Sequence, residues 1–410
     1  SIAYFDFDGM VDVRVISNKE RVNSVRVRPL SYKITPDCVG DTVTFSLSRP
    51  RNLSVEVNGD IFHNLHLFAN PIDKFRPSDK EIQRALKKKK GSNLIYFGPG
   101  VHNLPNDTLF VPSGTTVYID GGARVYGNIF TEGAHDVNIF GRGEVHPDGR
   151  GAGVWVRRSK NVRIDGIVVS QLPIGQCDSV ELTNVKSISY YGWGDGMDVF
   201  SSSNVILDGV FCRNSDDCAA VYASTQGFKG GSNNVLVKNA TLWADVAHPI
   251  NIGGHGDPNG MDTVQNVTFR NIDILDQAEK QIDYQGCLAI NPGDNTLVRN
   301  ITFENIRIED FRNGQLVNFR ISFNPKYCVS TGRGIQNVLV KDVTYNGSGE
   351  NLSIIAGYDE NHKISGIRFV NLVVNGRKIT DDMPGKPKWY KTGDMAGIFV
   401  GEHVENLSFE

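Results

Sequence analysis

Six cysteines are scattered along the 410 residues, at positions 38, 177, 212, 218, 287 and 328, and no two of them have Cys-x-x-Cys spacing. That excludes the common zinc-ribbon patterns and leaves buried thiols or one or two disulfides. No apolar run approaches the length needed to span a bilayer, so no membrane partner is expected. Charge of either sign is nearly balanced, with 43 Lys and Arg against 46 Asp and Glu and a net charge of −3. Such a balance argues against a nucleic-acid partner. The lysine run from Lys87 to Lys90 is the single basic block, and it reads as a solvated helix end. Hairpin dipeptides such as Asn346-Gly347 and Asn375-Gly376 are few for so β-rich a chain.

What the chain does have is a repeat. An Asn-apolar start followed by alternating apolar residues recurs as Asp136-Val137-Asn138-Ile139, Asn161-Val162, Asn184-Val185, Asn204-Val205, Asn234-Val235, Asn266-Val267, Asn300-Ile301, Asn337-Val338 and Gly366-Ile367. The apolar positions 137, 162, 185, 205, 235, 267, 301, 338 and 367 are 20 to 37 residues apart, a step that fits one coil of a solenoid. Val, Ile, Thr and Phe alternate within each unit, which favours strand over helix. The expected fold is all-β, a right-handed parallel β-helix; a β-sandwich array would need more hairpin turns.

A boundary is expected near residue 75, dividing an N-terminal β-sandwich (1–75) from a capping helix and β-helix domain (76–410). In the first part, Asn58-Gly59 signals a hairpin joining Leu53-Ser54-Val55-Glu56-Val57 to Asp60-Ile61-Phe62-His63. Next, Ser78 and Glu81 form a capping-box pair and Gly91 ends the helix. That helix would cover the open end of the solenoid, whose first strand is Leu94-Ile95-Tyr96-Phe97. The chain begins at Ser1 without a signal peptide, as a mature or trimmed product would. Sequons at Asn52, Asn106, Asn239, Asn266, Asn300, Asn346, Asn351 and Asn406 arise partly from the repeat itself, so glycosylation does not follow from them.

Three clusters carry potential chemistry: Asp195-Gly196-Met197-Asp198, Asn214-Ser215-Asp216-Asp217-Cys218 and Gly253-Gly254-His255-Gly256. Asp195 and Asp216 are 21 residues apart, about one coil, and parallel strands stack at ~4.8 Å. Carboxyls on neighbouring coils could therefore span the ~6.5–9.5 Å between the acid and base of an inverting glycosidase. Crowded carboxylates resist joint ionisation, so one would stay protonated as a general acid. Turn chemistry and a calcium site remain open on spacing alone.

The three clusters in that order resemble the successive motifs of the polygalacturonase family of pectin-degrading glycoside hydrolases. Phe97-Gly98-Pro99-Gly100-Val101, Gly121-Gly122-Ala123 and Gly141-Arg142-Gly143-Glu144-Val145 are similar to the family's opening coils. The resemblance implies an inverting hydrolysis of α-linked glycosidic bonds in a polysaccharide or oligosaccharide, without metal or other cofactor. It assigns Asp216 as general acid, Asp195 and Asp217 as activators of water, and His255 as the group tuning the acid. Asp198 fits the motif as a substrate-binding or turn-ordering residue. Secretion, to the extracellular space or a periplasm, follows from such a substrate.

The chain also departs from the family. The Arg-Ile-Lys motif that binds a uronate carboxylate has two partial matches: Arg320-Ile321-Ser322 keeps the arginine, and Ala289-Ile290-Asn291 has neither cation. Lys326, Arg312 or Arg333 could substitute. Trp193 and Gly194 precede the first aspartate where the family has Asn and Thr, and Trp193 could stack on a sugar. Tyr222, Trp243, His248 and Tyr284 are further candidates for the cleft. Dextranases and isopullulanases, which resemble this chain in pairing a β-sandwich with a β-helix, imply a neutral α-glucan instead. A polysaccharide lyase and a noncatalytic glycan-binding solenoid are the other readings. Oligomeric state cannot be read.

Overall fold

The structure is a computed structural model that describes residues 1–18, 21–87, 91–147, 149–348 and 350–410. The chain divides into two compact units, Ser1–Arg76 and Pro77–Glu410. Lys88 to Lys90, most of the basic run, lie outside the described residues. No helix among the described residues is long and apolar enough to cross a membrane.

The first unit pairs a four-stranded sheet with a three-stranded one. Both contribute to one core, with Phe7, Leu53, Val55 and Leu67 from the first and Val13, Val43 and Phe45 from the second. Asn58 and Gly59 both take positive φ, 53° and 77°, as the tightest hairpin turns require. The returning strand begins later than its sequence suggests, at Leu65 rather than Asp60. The reason is Asp60, whose Oδ1 accepts the backbone N–H groups of Phe62 and His63 at 2.9 and 3.0 Å. Those donors are spent on a local turn and cannot join a ladder.

The second unit is a parallel β-helix. Its first helix, Asp79–Leu86, carries the reciprocal bonds of a capping box: Ser78 Oγ accepts from Glu81 N, and Ser78 N donates to Glu81 Oε2 at 2.8 Å. Only Ile82 of this helix is buried, and the helix packs near the first strand, Leu94–Phe97. From there each coil lays down three strands, which stack coil upon coil into three parallel sheets that we call I, II and III; sheet II includes Phe211–Asn214 and Thr241–Ala244, and sheet III includes Ala219–Tyr222, Ile250–Ile252 and Leu288–Ile290. Sheet I aligns Val137, Val162, Val180, Val205, Val235, Val267, Ile301, Val338, Ile367 and Leu407 in one inward ladder. Most of these side chains are wholly buried, each contributing roughly 1.5–3 kcal/mol of transfer free energy. Phe269, Phe303, Phe319, Phe369 and Phe409 form a stack beside it, with centroids 4.8–6.5 Å apart.

One rung differs from the sequence reading: Val180, not Val185, continues the ladder. Asn184 and Ser179 both have positive φ, 53° and 60°. Each coil turns twice through a left-handed residue followed by an apolar one, once entering sheet I and once leaving it. In this coil the entry is made by Ser179, and Asn184 marks the exit, in the class of Asn239, Asn271 and Asn305. The repeated signature therefore picked out the wrong corner.

At both corners the left-handed asparagines bond to one another. Asn234 donates to Asn204, Asn300 to Asn266 and Asn337 to Asn300, at 2.7, 3.2 and 3.3 Å. On the exit side Asn271 donates to Asn239 and Asn305 to Asn271, at 2.7 and 3.3 Å. Asparagine suits these places because it tolerates left-handed backbone and carries both a donor and an acceptor. All six cysteines are free thiols, four of them buried; no disulfide joins them.

Candidate active site

The third corner, between sheets II and III, carries acids instead. Asp195 and Asp198 precede the strand Val199–Phe200, Asp216 and Asp217 precede Ala219–Tyr222, and His248 precedes Ile250–Ile252. Backbone bonds lock these turns together: Gly196 N donates to Asp217 O at 2.7 Å, and Cys218 N to His248 O at 2.8 Å. Glycine at 194 and 196 is what allows this approach. A Cβ on Gly194 would lie 2.4 Å from Ser215 Oγ, and one on Gly196 would lie 2.2 Å from Cys218 O. Asn214 fastens the arrangement from below, its amide donating to Ser187 Oγ, Ser189 Oγ and the carbonyl of Asp195 at 3.0, 3.0 and 3.1 Å.

One carboxylate oxygen from each of Asp195, Asp216 and Asp217 lies within 4.8 Å of the others. These oxygens sit closer than the 6.5–9.5 Å that the sequence led us to expect between acid and base. Stacked coils fix the closeness, since two of the acids are chain neighbours and the third is one coil away.

The three acids differ sharply in surroundings. Asp217 is buried and accepts four hydrogen bonds. His248 donates from its backbone N at 3.1 Å and pairs Nδ1 at 2.7 Å with Oδ1, while Tyr222 Oη and Asn251 Nδ2 donate to Oδ2 at 2.6 and 3.0 Å. Burial alone would raise this carboxyl, but His248, Tyr222 and Asn251 outweigh it and hold it below the usual carboxylate range. Asp216 is half-buried, and burial followed by the charge of Asp217 pushes its carboxyl up to about 7. Asp195 is raised well above its ordinary value, by burial and then by Asp216 and Asp217. With its acceptor sites filled, Asp217 has no lone pair left for a calcium ion.

Asp198 is buried beside the acids. It is 4% exposed, its carboxyl is raised well above normal first by burial and then by Asp195, and Oδ1 has no partner among the described residues. Met197 and Val199 belong to the core, so alternation places Asp198 on the outward face, in line with Ala220 and Asn251.

The two histidines change places relative to the sequence reading. His248, expected as a cleft residue, is the one bonded to the acids, and its Nε2 has no partner among the described residues. His255 stands past the other end of the strand Ile250–Ile252, packing edge-on against Tyr222 at 5.1 Å. No hydrogen bond joins its ring to the three carboxyls among the described residues. The Gly-His-Gly signature was matched one corner late: a strand of three residues spans about 10 Å, and a histidine stands near each end of it.

Tyr284 meets His248 edge-on at 4.3 Å and stacks on Tyr327 at 4.7 Å. Trp193 is 71% exposed beside Asp195, its carbonyl held by Gln171 Nε2 at 2.7 Å. Trp243 is fully buried under Arg213, 4.0 Å from its ring centre, so it belongs to the packing. Asn291 faces outward on sheet III and donates to Asn318 Oδ1 at 3.1 Å. Arg320 is spent on the carbonyl of Asp283 at 2.6 Å. Arg312 pairs with Asp276 and Asp245, and Arg333 with the carbonyl of Asp262. Lys326 reaches Gln281 Oε1 at 2.8 Å.

Sequence reading missed Asn251, whose Oδ1 is unpartnered and whose amide holds both Asp217 and Tyr222. It also missed Glu279, a buried carboxylate that accepts from Ala247 N next to His248. Asn251 alternates with Ile250 and Ile252 as an outward residue, the single available signal. Glu279 had none.

Residues 154–383 match the model of the glycosyl hydrolases family 28. Among curated relatives, a polygalacturonase of Juniperus ashei is 26% identical over 295 residues, covering 64% of this chain and 54% of that protein. An exopolygalacturonase of Cochliobolus carbonum is 24% identical over 246 residues, covering 52% of each. The chain thus spans about half the length of the curated relatives it matches. Among solved structures, the family 28 exopolygalacturonase of Yersinia enterocolitica superposes with a TM-score of 0.60 at 13% identity, over 89% of this chain and 85% of that one. Dex49A from Penicillium minioluteum gives 0.67 at 14% identity, over 99% and 83%. At such identities the superpositions speak to the fold alone.

Proposed function

Because the chain belongs to the glycosyl hydrolases family 28, we propose that it hydrolyses α-linked glycosidic bonds of a polysaccharide in the manner of a polygalacturonase, with inversion at the anomeric carbon. The observation that carries this reading is the division of labour among three crowded acids. Asp217 is fixed as an anion by four donors, and its charge helps keep a proton on Asp216 near neutral pH. Asp216 gives that proton to the glycosidic oxygen as the bond to the anomeric carbon breaks. Water attacks from the opposite face, and Asp195, ionised in the competent state, takes its proton. Asp195 and Asp216 titrate as a pair, so the competent state is the one with a single proton, on Asp216.

This differs from an equal sharing of the base role by Asp195 and Asp217. All four acceptor positions of Asp217 are occupied, so it acts through its charge and Asp195 receives the water proton. His248 orients Asp217, and its Nε2 and Asn251 Oδ1 offer unpaired groups to a bound sugar or water. Trp193 supplies an aromatic face beside the acids, and Asn291 lies on the outer surface of sheet III, where the substrate would run. Action on such polymers places the protein outside the cell or in a periplasm.

The carboxylate spacing sits nearer the retaining class of glycosidases, so stereochemistry is the point to test. NMR of the first-formed product should show the β anomer; the α anomer would overturn inversion. Of the two partial matches to a uronate-binding Arg-Ile-Lys, Arg320-Ile321-Ser322 lacks the lysine and Ala289-Ile290-Asn291 lacks both cations, so a neutral α-glucan is the second reading. Hydrolysis of polygalacturonate or rhamnogalacturonan, against dextran or pullulan, separates the two. Inactivity on all four would remove both.

A further inference from the structure

Sheet III positions a second cluster on the far side of its strands. His255, Asp294 and Cys328 follow the strands Ile250–Ile252, Leu288–Ile290 and Val317–Arg320 on three successive coils. One ring nitrogen, one carboxylate oxygen and the thiol sulfur lie within 4.8 Å of one another. We propose that these three side chains bind a zinc ion, with water in the fourth position.

Ligand atoms around one tetrahedral zinc, at about 2.0–2.3 Å from it, lie about 3.3–3.8 Å apart, so closing on the ion needs a shift of at most about 1 Å. Imidazole, carboxylate and thiolate together are a donor set suited to zinc and poorly suited to calcium. The His255 ring makes no hydrogen bond among the described residues and is held edge-on against Tyr222. Asp294 is aimed by its surroundings: Oδ1 accepts from Val329 N and Ser330 N at 2.8 and 3.2 Å, leaving the other oxygen for an ion.

Two glycines make the approach possible. A Cβ on Gly293 would lie 2.2 Å from Cys328 Sγ, and one on Gly256 would lie 2.0 Å from Thr296 Oγ1 and 2.7 Å from the carbonyl of Asp294. Without the ion, the Cys328 thiol donates to the carbonyl of Gly254 at 3.2 Å. Binding breaks the S–H bond, forms a zinc–sulfur bond and releases one proton to solvent. No electron is transferred. The site would staple three coils beside Tyr222, which donates to Asp217.

The test uses the whole chain carrying Cys38→Ser, which removes the exposed thiol. After treatment with a chelator, zinc is titrated by calorimetry in buffers of different ionisation enthalpy, and cobalt is titrated by absorbance. One equivalent should bind with release of about one proton, and cobalt should show a thiolate charge-transfer band. Cys328→Ser should lose the band and weaken zinc binding by more than about tenfold; His255→Asn serves if that variant fails to fold by circular dichroism. No binding by the parent protein overturns the proposal. Equal binding by Cys328→Ser also overturns it and moves the ion to the Asp195–Asp216 pair.

Discussion

Two kinds of corner stand out in this solenoid, and they use the same stacking distance to opposite ends. On either side of sheet I, asparagine lies over asparagine, and each amide satisfies the one before it. Between sheets II and III, aspartate lies over aspartate, and the charges cannot all be accommodated. An amide ladder closes its own hydrogen bonds, whereas an acid ladder must hold protons or recruit donors. Asp217 recruits four donors, while Asp216 and Asp195 are driven to share a proton.

The largest expected effect comes from breaking the acid corner. Asp216→Asn should lower kcat by about 10²–10⁴-fold, with circular dichroism unchanged; full activity in that variant on the true substrate would sink the assignment of the acid. His248→Ala should come next. It removes two properties at once, since it frees one lone pair of Asp217 and deprives a buried anion of its partner, a loss of about 3–5 kcal/mol in comparable buried pairs. A denaturation midpoint that did not move would show that Asp217 is held by other means. His255→Ala, at the other end of the same strand, should leave the pH profile of kcat in place, and a shifted profile would return His255 to the acids.

pH separates the two corners further. The folded Asp216 carboxyl titrates at about 7, above its unfolded value. Its contribution to stability is therefore fully present below the unfolded value and lost as pH rises through about 7. Asp216→Asn should consequently raise the melting temperature more at pH 8 than at pH 5, while activity of the parent declines above about pH 7. If the variant's gain were equal at both pH values, Asp216 would not carry the raised carboxyl. The smallest effect on activity belongs to the amide corner. Asn300→Ala loses two ladder bonds, to Asn266 and from Asn337, each worth about 1 kcal/mol, and places alanine in left-handed backbone at a further ~1–2 kcal/mol. Chemical denaturation should register that loss with kcat unaltered, and a fall in kcat would join the corners that we treat as separate.

Much of this was legible because both ladders write themselves into the chain. Asn204-Val205, Asn234-Val235 and Asn266-Val267 announce left-handed turn, inward apolar residue and coil in two residues each. Asp216-Asp217-Cys218 announced the acids for a similar reason, since neighbouring carboxyls have few uses in a buried turn. What stayed hidden was position along the coil. Asn184 and Ser179 could not be ranked because both corners of sheet I accept the same kind of residue. His248 and His255 could not be ranked because spacing does not say where a three-residue strand begins. Glu279 and Asn251 were invisible for a simpler reason: a single polar residue in a loop or strand has no pattern to stand in.

The ladder in sheet I has one further consequence. The coil from Val162 to Val180 takes 18 residues and the one from Ile367 to Leu407 takes 40, yet both deliver one rung in register. Distance along this protein is measured in turns completed, and the number of residues spent between turns is free. Loops can therefore lengthen, shorten or be exchanged around the groove while the acids stay on their neighbouring rungs. Appetite for a new sugar is something such a scaffold can acquire from its margins, with its chemistry left untouched.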